Sequence, residues 1–262
     1  MPPKRPARAA STPDADPDWF PLSREEHNAQ TAALLRRLGK SPKRVLDLGS
    51  GDGRIAGPLV DAGHLVLAVD RDPAALAGCA ACGASILRGD FLNTASAGDS
   101  LWLAITKAGP FDAVVCLGHT FMLASDPGEA LAVLARVRSV LRNKPPGFFA
   151  VDDFSGLWRE VAEGNWQEGV SPDGSMQLVW GEGDNTIAFR RDKTINRKSW
   201  SIVRSDTPMR LWSRGELTLA AHASGLKSAG APAGHLSIFH ATIDPPKAGR
   251  RGPARRNTPR TK

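Results

Sequence analysis

The sequence predicts an α/β chain: one doubly wound, mostly parallel sheet with helices on both faces, and an antiparallel insertion before the last helix. Three observations carry that expectation. Apolar runs of buried-strand type alternate with helical stretches from residue 44 to residue 154. A glycine-rich turn stands directly after the first of those strands. Past residue 155 the texture changes to alternating segments divided by turn residues, ahead of a last helix and strand.

Each element can be justified in order. Ser23 with Glu26 fits a capping box for a first helix, whose apolar face is Ala32, Leu34, Leu35 and Leu38 and whose stop is Gly39. RVLDLG, from Arg44, reads as a buried strand, IAGPLVDAG as a helix, LVLAVD as a strand, PAALAGCAACG as a helix and SILRGD as a strand. A variable segment containing LWLAITKAG follows. Then come the strand FDAVVCLG, the helix EALAVLARVRSVLR and the strand GFFAVDDF. In the insertion, MQLVWG, NTIAFRR and KSWSIVR are expected as antiparallel strands, turning at Gly183-Asp184 and Asp192-Lys193. SRGELTLAAHASGL resumes a helix and HLSIFHATI closes with a strand.

A length of 262 residues suits one well-buried domain, placed at 18–244 with the insertion at 155–212. Residues 1–17 read as a flexible leader and 245–262 as a basic disordered tail. The formal charge of +7 resides in the ends, where residues 1–10 and 245–262 hold ten basic side chains and no acid. The remaining 24 basic residues against 27 acidic ones give −3, so the folded part offers no electrostatic footprint for a polyanion. Only the tail could touch RNA or an anionic lipid. No apolar run approaches the ~18 residues of a membrane span, and no secretory h-region is present. Three cysteines without framework spacing argue for a reducing compartment, and the cytoplasm is expected.

The strongest local signal is Asp47-Leu-Gly-Ser-Gly-Asp-Gly53, between a strand and a helix. Glycines permit a tight turn and close approach of a ligand to the backbone. A dinucleotide fingerprint would need glycine at position 54, where Arg54 stands. Asp47 would repel a pyrophosphate and attract an ammonium. Asp70 ends the second strand about 20 residues on, where an acid can accept ribose hydroxyls, and Asp90 ends the third. Taken singly, each acid is equally explained as a solvated loop residue. Three at successive strand ends, along the edge where such sheets bind ligands, are harder to explain that way.

In this order and spacing, VLDLGSGDG, LAVDRDP, LRGDF and FDAVVCLGHTF resemble the successive motifs of class I S-adenosylmethionine-dependent methyltransferases, over roughly residues 44–154. VVCLGHTF and GFFAVDDF resemble the glycine N-methyltransferase-like small-molecule branch, and the alternating strands followed by RLWSRGELTLAAHASGL resemble small-molecule methyltransferases whose insertion, here 155–212, caps the substrate pocket. The resemblance implies a Rossmann-like fold, S-adenosylmethionine as cofactor, and methyl transfer to a small molecule at nitrogen or oxygen. By it, Asp47, Gly49 and Gly51 would hold the methionine part, with Ser50 in the same cofactor set. Asp70 would take the ribose, Arg71 would lie beside the adenine, and Asp90 would accept from its amine. Phe91 would meet the ring through its backbone, and Leu117 would contact the methionyl end. Two departures, His119 where the branch has asparagine and Phe154 where it has a carboxylate-gripping arginine, speak against glycine as the acceptor.

Methyl transfer is an in-line displacement catalysed chiefly by alignment. An amine or thiol acceptor needs little beyond proton loss, whereas a hydroxyl needs a base. His119 and Asp153 are the two catalytic candidates, each also readable as a hydrogen-bonded loop residue. Cys79 and Cys82 lack the further ligands a zinc would need, so they are read as helix packing and no metal is expected. Cys116 belongs to a buried strand. The basic cluster Arg190, Arg191, Lys193, Arg197 and Lys198 reads as a solvated strand edge. Trp158, Trp166, Trp180 and Trp200 are placed equally well in a pocket or a core. Two alternatives stay open: an RNA or protein methyltransferase, and a cofactor-binding regulator without catalysis.

Overall fold

The computed structural model describes residues 24–93, 96–152, 166, 169–230 and 236–242. The leader, the tail, the Ser23 cap, Asp153, Phe154 and Trp158 lie outside them. Helix α1 (Arg24–Leu38) leads into β1 (Arg44–Leu48), α2 (Ala56–Asp61), β2 (Leu65–Asp70), α3 (Pro73–Ala81) and β3 (Ser85–Arg88). Next come α4 (Ser96–Ala108), β4 (Ala113–Cys116), a 3-10 turn (Thr120–Leu123), α5 (Pro127–Val140) and β5 (Phe148–Asp152). The three strands β6 (Met176–Trp180), β7 (Thr186–Arg191) and β8 (Met209–Arg210) precede α6 (Arg214–Ala223), β9 (Leu226–Ser228) and β10 (Leu236–Ala241).

The main sheet has the order β3-β2-β1-β4-β5-β10-β9. Strands β1 to β5 pair in parallel, and β10 runs antiparallel to both β5 and β9. Both faces are buried, as a doubly wound sheet requires. Leu46, Leu48, Val114, Phe149 and Val151 point to one layer, formed with α4, α5 and α6. Val45, Ala113, Val115, Phe148 and Ala150 point to the other, toward α1, α2 and α3. Strand order reverses beside β1, whose neighbours are β2 and β4, and the crevice at their carboxyl ends is where such sheets take ligands.

Helix caps follow local chemistry. Asp72 and Asp126 accept from the Ala74 and Glu129 N–H groups at 2.8 and 2.9 Å, each ahead of a proline at the first helical position. Ser213 and Glu216 form a capping box at α6. The buried stripe of α1 is His27, Gln30, Leu34 and Leu38, so two polar side chains share the face expected to be apolar.

The insertion forms a separate antiparallel sheet, β6-β7-β8. MQLVWG and NTIAFRR are strands as expected, but KSWSIVR is not. It makes one isolated parallel bridge at Ser201, where Trp180 donates to Trp200 O at 2.8 Å and accepts from Ile202 N at 3.0 Å, while the Ser199 and Ser201 carbonyls accept from the Arg190 side chain and Ser199 also from Gln177. Arg190 is 4% exposed and pairs with Asp206 at 2.7 Å, so this member of the basic cluster is a buried structural residue. The third strand is Met209–Arg210, two residues long.

Candidate active site

The carboxyl ends of β1, β2, β3 and β4 open onto one cavity. Asp47, Gly49, Ser50 and Gly51 line it from the glycine turn, Asp70 and Arg71 from the end of β2, Asp90 and Phe91 from beyond β3, and Leu117 from beyond β4. The nine positions assigned to the cofactor from sequence are thus brought together in one wall. Arg54, Ile55, Leu92, Gly118, Thr120 and Leu123 are further lining residues that the sequence reading did not single out as ligands.

The turn needs its glycines. Gly49 has φ +68°, and a Cβ there would lie 2.1 Å from Thr120 Cγ2. Gly49 and Ser50 donate their N–H groups to Val69 O at 2.8 and 3.1 Å. Gly51 donates to Asp70 Oδ2 at 2.9 Å. Helix α3 supports the turn from below, where a Cβ on Gly78 would lie 2.3 Å from Asp52 O. Cys79 Sγ lies 3.2 Å from Gly51 O and 3.4 Å from Ser50 Oγ, and burial pushes its thiol up. Cys79 therefore packs beneath the turn. Burial pushes the Cys116 thiol well above the ordinary range too.

Charge in the cavity is concentrated at its base. Asp47 is 2% exposed, and burial pushes its carboxyl up to about 7, against the attraction of Arg54 and with some help from Asp70. Its Oδ2 is buried without a hydrogen-bond partner among the described residues. Burial lowers the Arg54 guanidinium, while Asp152, Asp47 and Asp52 oppose that shift. Asp90 Oδ1 accepts from the Leu92 N–H at 3.0 Å, and Trp102 Nε1 donates to Phe91 O at 3.2 Å. These two contacts fix the loop after β3.

Asp152 is the residue that sequence reasoning missed. It continues the face of Phe148 and Ala150 toward α1 and is 4% exposed. Its Oδ2 accepts from Gly118 N at 2.6 Å, His119 N at 3.1 Å and Gln30 Nε2 at 3.4 Å. Gln30 Oε1 in turn accepts from Arg54 at 3.4 Å. The carboxylate thereby ties the loop after β4 to α1 and to the cavity. The missed signal was alternation: every second residue from Phe148 faces α1, which selects the first acid of the pair.

His119 caps the 3-10 turn with φ +61°, a left-handed conformation that histidine and asparagine tolerate better than most residues. Its neighbours Gly118 and Thr120 line the cavity; its own ring nitrogens are buried outside the lining. The other catalytic candidate, Asp153, lies outside the described residues.

Residues 45–144 match the sequence model of the methyltransferase domain family. No curated protein matches the chain in sequence. Among solved structures, an S-adenosylmethionine-dependent methyltransferase from Clostridium acetobutylicum superposes with a TM-score of 0.58 at 10% identity, over 85% of this chain and 93% of that one. The 1,6-didemethyltoxoflavin-N1-methyltransferase of Burkholderia thailandensis gives 0.51 at 20% identity, over 82% and 78%. CalS10, an amino pentose methyltransferase from Micromonospora echinaspora, gives 0.51 at 18% identity, over 87% and 93%. At such identities the likeness is one of fold. Among the described residues, no helix is long and apolar enough to cross a membrane. The methyltransferase match over 45–144 spans β1 to α5, and the sheet order around it is that of the methyltransferase folds on which the chain superposes.

Proposed function

We propose that this protein transfers a methyl group from S-adenosylmethionine to a small-molecule acceptor at nitrogen or oxygen, in the cytoplasm. The observation that carries the reading is the Asp47 carboxylate, buried at the base of the cavity with one oxygen lacking a partner. A buried carboxylate of this kind is costly unless a cation meets it, and the methionine ammonium is such a cation. Gly49 is itself required by its neighbour across the cavity wall, since a Cβ there would lie 2.1 Å from Thr120 Cγ2.

When bound, S-adenosylmethionine supplies an electrophilic methyl on a sulfonium. This chain's residues would bind and orient it. Asp47 would hold the ammonium, with Gly49, Ser50 and Gly51 presenting backbone to the methionine part. Asp70 would accept from the ribose, Arg71 would lie beside the adenine, and Asp90 with the Phe91 backbone would meet the base edge. Leu117 would close the methionyl end. The acceptor's proton is assigned to His119 or Asp153. His119 needs the 3-10 turn to shift before its imidazole meets the cavity, because its ring nitrogens are buried in this conformation.

Small acceptors are supported by the charge balance of −3 over 11–244, which offers nucleic acid no basic groove. Support also comes from folds shared with methyltransferases whose acceptors are a didemethyltoxoflavin and an amino pentose. Calorimetry with S-adenosylmethionine and with NAD tests the cofactor; micromolar binding of the first and none of the second is expected. Release of S-adenosylhomocysteine with a metabolite panel then separates an enzyme from a regulator. Binding of NAD alone would end the reading.

A further inference from the structure

The charge balance of −3 over 11–244 is a sum over the whole surface, and it hides one local concentration. Between β7 and β8, residues 192–205 expose Lys193, Arg197, Lys198 and Arg204 against a single acid of their own, Asp192. Among the described residues none of these four cations is ion-paired. Arg190 and Asp206, which are paired, lie buried beneath them. Asp173, in the turn beside Arg197, has its oxygens engaged by Ser171 and Ser175 at 2.6 and 2.7 Å.

Two apolar side chains stand out in the same stretch, Trp200 at 44% exposed and Val203 at 47%. The backbone that carries them is held in place. Besides the bridge to Trp180, Asn196 N donates to Gln177 Oε1 and Val203 N to Asp206 Oδ2, each at 2.8 Å. Thr194, Asn196, Val203 and Ser205 line one hollow, so the two arms of the loop lie side by side. Lys193 and Arg197 flank one arm and Arg204 the other.

An exposed indole and a branched aliphatic side chain among unpaired cations suit a bilayer interface. There the cations meet lipid phosphates, the Lys and Arg stems cover apolar surface, and an indole sits at headgroup level. Single-stranded nucleic acid calls instead for successive stacking rings along a groove, and Val203 stacks on no base. The chain's other reserve of positive charge, seven Lys and Arg without an acid over 245–262, suits the same partner. A polybasic segment is drawn to an anionic surface without a shaped site, and stable anchoring takes two such signals.

We propose that the 192–205 loop docks this protein on the surface of an anionic bilayer. Trp200 and Val203 enter the interface, and Lys193, Arg197, Lys198 and Arg204 meet lipid phosphates. The loop covers the Gln177 and Arg190 face of the second sheet, whereas Met122 of the 3-10 turn packs on the opposite face with Leu178 and Ile187. The bilayer therefore meets this sheet on the side away from the cofactor cavity.

The experiment sediments the full chain with vesicles of phosphatidylcholine, alone or with about 30 mol% phosphatidylglycerol, at low and high salt. Anionic vesicles are expected to bind at least about tenfold more tightly, by a margin that shrinks as salt rises. Lys193→Glu, Lys198→Glu and Arg204→Glu combined should weaken that binding about tenfold or more. Trp200→Ser with Val203→Ser should weaken it about fivefold even at high salt, which a purely ionic contact would not show. Val203→Ser alone gives the same readout if the double variant loses the parent's melting temperature. Replacing the seven basic residues of 245–262 by glutamine should lower affinity yet preserve the response to the loop variants. The proposal is overturned if neutral and anionic vesicles bind alike, if the loop variants bind as the parent does, or if the tail replacement abolishes binding by itself. Tighter binding of polyuridylate, lost in the same loop variants, would also overturn it and give this surface to nucleic acid.

Discussion

The Asp70 carboxylate receives the backbone N–H of Gly51 at 2.9 Å, so the acid at the end of β2 shapes the glycine turn it faces. Its other oxygen accepts from Asp72 N at 2.9 Å. One side chain thus closes the turn and presents its remaining acceptor capacity to the cavity.

Asp70→Ala should consequently lose more than a ligand contact. We expect S-adenosylhomocysteine affinity to fall at least about thirtyfold, and stability by about 1–2 kcal/mol from the unsatisfied N–H groups. Calorimetry and urea unfolding check both. Unchanged affinity would remove Asp70 from the cofactor site.

The raised Asp47 carboxyl makes binding and stability depend on pH. Its folded-state value is about 7 against an ordinary 3.8, so folding favours the protonated form. The stability this provides is complete below pH 3.8 and is lost as pH rises through 7. Asp47→Asn, uncharged throughout, should match the ligand-free parent near pH 4 and exceed it at pH 8, by on the order of 4 kcal/mol. A ligand ammonium requires the ionised form, so cofactor binding should release about one proton at pH 6 and almost none at pH 8.5. Calorimetry in buffers of different ionisation enthalpy measures that release. An equal proton count at both values would separate Asp47 from the ammonium.

Much of this was legible in the residues. Strands buried on both faces announce themselves as apolar runs, and DLGSGDG, Asp70 and Asp90 mark the strand ends where a parallel sheet gathers its ligands. What stayed hidden was set by tertiary partners. KSWSIVR has the pattern of a strand, yet its pairing stops at one parallel bridge to Trp180, because the Ser199 and Ser201 carbonyls accept from Arg190 and Gln177 side chains. Asp152 and Asp153 are adjacent acids, and alternation separates them only once the face that Phe148 and Ala150 turn toward α1 is known. Gln30 joined that cluster from a helix whose buried stripe was expected to be aliphatic throughout.

Close packing of α3 under the glycine turn gives a prediction away from the cavity lining. A methyl on Gly78 would meet Asp52 O at 2.3 Å, and backbone cannot yield there without moving the turn. Gly78→Ala should weaken S-adenosylhomocysteine binding about tenfold and cost about 1–3 kcal/mol of stability through overpacking. Cys79→Ser beside it keeps the size and a donor, and should leave affinity within about twofold. If Gly78→Ala binds as the parent does, the turn is not held from below.

His119 requires a variant that separates its ring from its backbone. Alanine at φ +61° would itself cost about 1 kcal/mol, and any loss of activity would then be mixed with strain. Asparagine tolerates the left-handed conformation and keeps the N–H that Asp152 accepts at 3.1 Å. His119→Asn should therefore preserve the melting temperature and S-adenosylhomocysteine affinity. Turnover should fall about a hundredfold if imidazole takes the acceptor's proton, as we propose. An unchanged kcat in the variant would confine His119 to the backbone contact with Asp152, and the proton would then pass to solvent or to Asp153.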